Sequence, residues 1–214
     1  MIRKDCTRNM LLEVGRRAFL ERGYANSGIE AILNEAGVPK GSFYHYFSSK
    51  EEFGLQVVEV FAQQCESWID EALGDLTLSP LARMRKYFEG MVDSLAGQGC
   101  RNGCLVGRLS QEMADQNEVL RQRFESIFSA WTDRLADCLR EARDGGEIAA
   151  DLDVRDLAEF CMNGWQGAIL RAKTARSTVP LRIFLGVLFQ HVLRPRSGDG
   201  PARIEPRNEQ PGPF

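Results

Sequence analysis

Residues 27–52, SGIEAILNEAGVPKGSFYHYFSSKEE, decide how this chain folds. Ser27 and Glu30 make an S-x-x-E capping box, which predicts a helix start, and Ile29, Ile32 and Leu33 give that helix a short apolar face. Gly37 stands where a helix ends in a left-handed cap. Pro39, with no N–H to donate, suits the first turn of the next helix. Phe43 and Phe47, four apart, share a face and are expected to point inward. Lys40, Gly41, Ser42, Tyr44, His45 and Tyr46 are left facing outward. Ser49 and Glu52 form a second capping box and open a third helix. Two short helices about a tight turn, the second aromatic and basic, are how a helix-turn-helix presents a recognition helix to the DNA major groove.

The rest of the chain repeats with a helical period and has no useful strand alternation. A first helix is expected over 5–22, with Met10, Leu11, Val14 and Phe19 on its apolar side. A long helix runs from Ser49 to about Leu73, carrying Phe53, Val57, Val60, Phe61, Trp68 and Leu73 on one side. Ser79-Pro80 reads as an N-cap and first-turn proline. Gly97, Gly99 and Gly103 surround a break, and a shorter apolar segment follows from Leu105 to Met113. Next comes a long amphipathic helix with Leu120, Phe124, Ile127, Trp131 and Leu135, ended by Gly145-Gly146. Asp153 starts a helix reaching about Lys173, and Pro180 opens another to about Leu193.

That last helix is apolar nearly all round, so it must be covered on most sides. Gly164, Gly167 and Ala168 in the preceding helix let a neighbour approach closely. The pair reads as half of a four-helix homodimer interface, with a plain intramolecular core as the alternative. The fold class is therefore all-α. A helix-turn-helix domain occupies 1–50 and a ligand-binding and dimerisation domain 51–194. Residues 195–214 hold five of the eight prolines, and this composition reads as a disordered tail.

Composition removes several function classes. A net charge of −3 over 214 residues is not that of a uniformly basic nucleic-acid binder. The charge is divided, however: residues 1–50 carry eight bases against five acids, and residues 51–214 carry 19 against 25. A small basic head is joined to an acidic body. No apolar run is long enough to span a membrane, and nothing near the N-terminus resembles a signal peptide, so a cytoplasmic protein is expected. Six cysteines without a C-x-x-C pair are too few for a disulfide scaffold. With only His45 and His191 available, no metal site or cofactor is expected.

The stretch GVPKGSFYHYFSSKEEF resembles the N-terminal signature of TetR-family transcriptional regulators. The resemblance implies about nine helices, a homodimer on a palindromic double-stranded DNA operator, and a repressor released by a small molecule. RNGCLVGRLSQEM (101–113) and GWQGAILRAK (164–173) are similar to the NemR/AcuR-like subgroup, associated with reactive electrophiles and unsaturated carbonyl compounds. The resemblance makes Cys104 the candidate sensor. Carried across position by position, Lys40 and Gly41 enter the groove, Tyr44 and His45 reach bases and phosphates, and Ser42 lies within the same reading segment. Tyr46, Lys50 and Ser27 meet phosphates, Ser27 from a helix N-terminus.

A pocket is expected inside the acidic body, lined by Trp131 and Trp165 with Phe88, Met91, Met162 and Gln166. Cys100 and Cys104, four apart, would share a face if their segment is helical. Arg108 would then lie on the face of Cys104, and its charge, with a helix dipole beginning near Asn102, would lower the thiol pKa. For a carboxylate effector bound without a covalent bond, Arg108 or Arg171 is the candidate counter-charge. A redox switch or metal clip at Cys100–Cys104 is the weaker alternative. Two rival classes remain: a thiol-dependent helical enzyme acting on electrophiles, which would need a general base beside Cys104, and a constitutive DNA binder without an effector.

Overall fold

The structure, a computed structural model, describes residues 2–195, and the expected tail beyond Pro195 lies outside the described residues. All regular structure among the described residues is helical. The α-helices are α1 (Ile2–Arg22), α2 (Ile29–Ala36), α3 (Lys50–Leu73), α4 (Pro80–Gly97), α5 (Leu105–Met113), α6 (Glu118–Asp144), α7 (Val154–Ala175) and α8 (Val179–Val187). A 3-10 segment, Lys40–His45, stands between α2 and α3, and a π turn, Leu188–Val192, continues α8. The expected recognition helix is thus one tight 3-10 stretch rather than an α-helix.

The head folds around four rings. Phe53 on α3 meets Phe47 at 4.9 Å, Phe43 at 5.5 Å and Phe19 of α1 at 5.9 Å, all edge-on. Phe43 and Phe47 are buried, as their spacing predicts. α2 ends at Gly37 in the left-handed region (φ 63°), with Val38 N–H donating back to the Leu33 carbonyl at 3.0 Å. Ser49 caps α3 by accepting from Glu52 N–H, and Glu52 reaches back to Ser48 N–H at 2.6 Å.

The first capping box does not form. Gly28 occupies the N-cap of α2 and gives it no side-chain bond. Ser27 is fully buried and its hydroxyl donates to the Gly23 carbonyl at 2.6 Å. The chain needs that bond to close the α1–α2 turn, and Glu30 is left to pair with Lys40 at 3.6 Å.

In the body, α6 and α7 form the largest packed pair, with α3 and α4 against α6 and α8 against α7. Several single residues depart from their expected faces. Met10 is exposed, and Trp68 is 54% exposed although it shares a helix with the buried Phe53 and Val57. Cys100 lies after α4 with φ 51°, and residues 101–104 are not helical, so Cys100 and Cys104 do not share a helix face. Gly164 admits a neighbour from within the same chain, because a Cβ there would come 2.5 Å from the Phe184 ring. Phe160 and Leu170 of α7 and Val179, Ile183 and Val187 of α8 form an exposed apolar face on the single chain.

Candidate functional site

The reading edge is the 3-10 segment with its flanks. Phe43 and Phe47 anchor it, and Lys40, Gly41, Tyr44 and His45 are exposed while Ser42 and Tyr46 are half-buried. Tyr44 stands 66% exposed on the edge of Phe43, so core packing does not account for its ring. Two members of the expected set belong elsewhere. Ser27 has no surface to offer a phosphate, since both its N–H and its hydroxyl are bonded inside the turn. Lys50 turns inward: its ammonium donates to the Tyr24 carbonyl at 2.8 Å and lies 4.5 Å over the Tyr24 ring. Burial holds that ammonium below the usual lysine range, against the opposing pull of Glu112.

Glu112 joins head to body. Its carboxylate accepts from Tyr24 N–H at 2.8 Å and Ala25 N–H at 2.6 Å. One turn earlier on α5, Arg108 donates to the Glu21 carbonyl at 3.4 Å. The short helix α5 therefore closes the exposed end of α1.

An inner cavity of about 310 Å³ lies between α3, α4, α6 and α7. Of the expected pocket residues, Met91, Cys104, Trp131, Met162, Trp165 and Gln166 line it. Phe88 does not; it is buried against Trp165, with ring centroids 5.0 Å apart. The cavity is also lined by Tyr87 and Ser94 of α4, by Gln98 at its C-cap, and by Phe61, Cys65 and Trp68 of α3. Tyr87, Met91, Ser94 and Gln98 recur every three or four residues, so a polar-marked stripe beside the Met84–Phe88–Val92 core stripe was the available signal. Position on the cavity also explains why Trp68 is not sealed in.

Cys104 is the N-cap of α5, and its sulfur accepts from Gly107 N–H at 3.4 Å. The helix thus starts at the thiol rather than ahead of it. Burial pushes the Cys104 thiol up, and the bonds from Gly107, Gln166 and Val106 offset that only in part. The Arg108 guanidinium donates to the Glu21 carbonyl and makes no hydrogen bond to the sulfur, so the expected arginine activation has no contact behind it. Cys65, on the same cavity, is pushed up to about 12 by burial and then by the charge of Cys104.

A second, outer cavity of about 740 Å³ lies between α5, α6 and α7. Cys104, Met162, Gln166, Gly103, Leu20 and Ile169 border both cavities. The charges on the outer one include Arg108, Lys173 and Arg176. Arg171 is exposed and lies on neither cavity, so it is not a counter-charge. Among the described residues, no group of three metal-binding side chains is present and no helix is long and apolar enough to cross a membrane.

An aromatic-anchored helix-turn-helix head set on a helical body with an internal cavity is the architecture of a DNA-binding transcriptional regulator. Residues 11–57 match the model for "Bacterial regulatory proteins, tetR family", and residues 80–187 match "Tetracyclin repressor-like, C-terminal domain". The chain is 40% identical to the HTH-type transcriptional repressor DhaR of Mycobacterium sp. (strain GP1), over 87% of this chain and 92% of that one. It is 40% identical to the transcriptional regulator AcuR of Cereibacter sphaeroides, over 85% of this chain and 83% of that one. The structure of reduced NemR from E. coli superposes with a TM-score of 0.80 at 30% identity, covering 86% of this chain and 95% of NemR. The chain belongs to the TetR family of transcriptional regulators. The matched families and these relatives regulate transcription and are not enzymes, which removes the thiol-enzyme reading.

Proposed function

We propose that this protein is a cytoplasmic, ligand-responsive repressor that grips a palindromic operator as a homodimer. A small reactive electrophile or an unsaturated carbonyl compound releases it. The observation that carries the effector half of this reading is the position of Cys104, at the junction of two cavities and at the N-cap of the helix that holds the head. The likeness to NemR and AcuR supports the same reading.

Lys40, Gly41, Ser42, Tyr44, His45 and Tyr46 are the DNA-facing set. The Lys40 ammonium and the Tyr44 hydroxyl suit base edges or phosphates, and Gly41 lets the backbone close on the groove. The exposed apolar face of α7 and α8 supports a second copy as its cover, which sets two heads about one DNA turn apart. We place the domain limits near residues 50 and 194, a reading supported by the start of α3 at Lys50 and the end of the π turn at Val192. The test is an operator mobility shift with and without N-ethylmaleimide, for wild type and Cys104→Ser. Loss of binding on alkylation in wild type, with retention in Cys104→Ser, upholds the sensor. Equal release of both proteins removes it.

A further inference from the structure

The outer cavity carries a feature that a neutral electrophile does not use. Three cations border it: Arg108 from α5 and Lys173 and Arg176 from the end of α7. None has a carboxylate within ion-pair distance among the described residues, although most arginines of the body do. The Nε of Arg108 is buried without a partner among the described residues, and its guanidinium reaches the Glu21 carbonyl through Nη2 at 3.4 Å. Arg176 sits in the left-handed region (φ 51°) and makes a 3.5 Å contact with the Cys100 carbonyl. Burial first, and then the charges of Arg108 and Arg176, hold the Lys173 ammonium below the usual lysine range. The three charges therefore repel one another, and no carboxylate of the described residues forms an ion pair with any of them.

Neither acid on the same cavity, Glu125 or Glu159, forms an ion pair with these three cations. Glu159 accepts from Arg155 at 3.1 Å and lies 14 positions before Lys173, roughly 21 Å along α7 at 1.5 Å per residue. Glu125 is on α6 and accepts from the Ser129 hydroxyl at 3.5 Å. One end of the cavity is thus cationic and unpaired, beside Cys104.

We infer that Arg108, Lys173 and Arg176 form an oxyanion subsite, which holds the charged end of an effector while its unsaturated end enters the inner cavity past Cys104. The inference rests on the effector reading above for the second half only. The anion half stands on the cation cluster. A carboxylate and a phosphate share the required chemistry, and both fit a site made of ammonium and guanidinium donors.

The experiment uses full-length wild type, the double variant Lys173→Gln/Arg176→Gln, and both again in a Cys104→Ser background. Alkylation of Cys104 by neutral N-ethylmaleimide and by anionic 3-maleimidopropionate is followed by peptide mass mapping, which separates Cys104 from the exposed Cys6. The anionic reagent should gain about tenfold over the neutral one in wild type. That gain should vanish in the double variant while the neutral rate stays unchanged. Thermal unfolding of the Cys104→Ser proteins in propionate or inorganic phosphate supplies a readout independent of the thiol. A rise in midpoint that the double variant lacks upholds the subsite, and the more effective anion identifies its preferred group. Should Cys104 prove inert while that rise persists, the covalent sensor fails and the oxyanion subsite stands. An equal reagent ratio in wild type and double variant, with no anion-dependent rise, overturns the subsite.

Discussion

Removing the Glu112 carboxylate should loosen the joint between head and body by an amount the geometry sets. Two backbone N–H groups, Tyr24 at 2.8 Å and Ala25 at 2.6 Å, donate to it. Gly23 is fitted to this contact, since with φ 82° a Cβ there would stand 2.5 Å from the carboxylate. A hydrogen bond to a charged group contributes about 1.5–3 kcal/mol. The Tyr24 bond is part-buried and keeps most of that, whereas water replaces the acceptor at exposed Ala25. Glu112 also favours the charged form of Lys50, which burial opposes. Together these put Glu112→Ala at about 2 kcal/mol of destabilisation and Glu112→Gln, which keeps one acceptor oxygen, at about 1 kcal/mol. Urea unfolding measures this as a lower midpoint with an unchanged slope. Operator affinity should fall as well, because the head loses its fixed attitude. An alanine variant within about 0.3 kcal/mol of wild type would refute the clamp.

Gly164→Ala should destabilise by about 1–3 kcal/mol in thermal unfolding, because its Cβ would stand 2.5 Å from a Phe184 ring backed by Phe88 and Trp165. A smaller residue at position 184, in Gly164→Ala/Phe184→Leu, should recover part of that loss. Ile183→Glu on the exposed face of α8 should convert a dimer in sedimentation velocity into a monomer with unchanged helical circular dichroism; a dimer that persists places the subunit contact elsewhere. The alkylation rate of Cys104 should climb about tenfold per pH unit and not level off by pH 9.0, since burial raises its thiol above that ordinary value and the thiolate is the reacting form. A plateau near pH 7 would mean that an activating cation outweighs burial.

Local signals made the head legible and long-range ones hid the cavity. Phe43, Phe47 and the Ser49–Glu52 box depend on neighbours within five residues, and each takes the place its spacing implies. Ser27 went astray because a competing acceptor, the Gly23 carbonyl, lies in the preceding turn, and an S-x-x-E pattern cannot exclude it. Lys50 faces inward because Tyr24 offers both a carbonyl and a ring, a pairing across 26 positions that no periodicity encodes. In the body, the helices and their order were readable, but adjacent residues of one helix divide between core and cavity. Phe88 fills the core while Tyr87 lines the cavity, and only the rotation of α4 against its neighbours separates them. The expected activation of Cys104 by Arg108 treated a shared helix face as contact. The guanidinium instead extends toward the end of α1.

The spacing of Cys104, Arg108 and Glu112 nevertheless has a physical use. Steps of four keep all three near one stripe of α5, spanning about 12 Å. The first caps the helix at the junction of the two cavities, the second reaches the Glu21 carbonyl, and the third holds the Tyr24–Ala25 backbone. Leu105, Val106, Leu109 and Met113 of the same helix are buried, so packing against the core ties the stripe to the body. An adduct or ligand at Cys104 therefore acts on the same short rod that fixes the head. Its leverage equals its difference in affinity between the two attitudes of that rod, so a compound bound equally well in both would leave DNA binding unchanged however tightly it bound. For an anion held by the proposed subsite that difference would be larger, because any movement of α5 would shift Arg108 relative to Lys173 and Arg176.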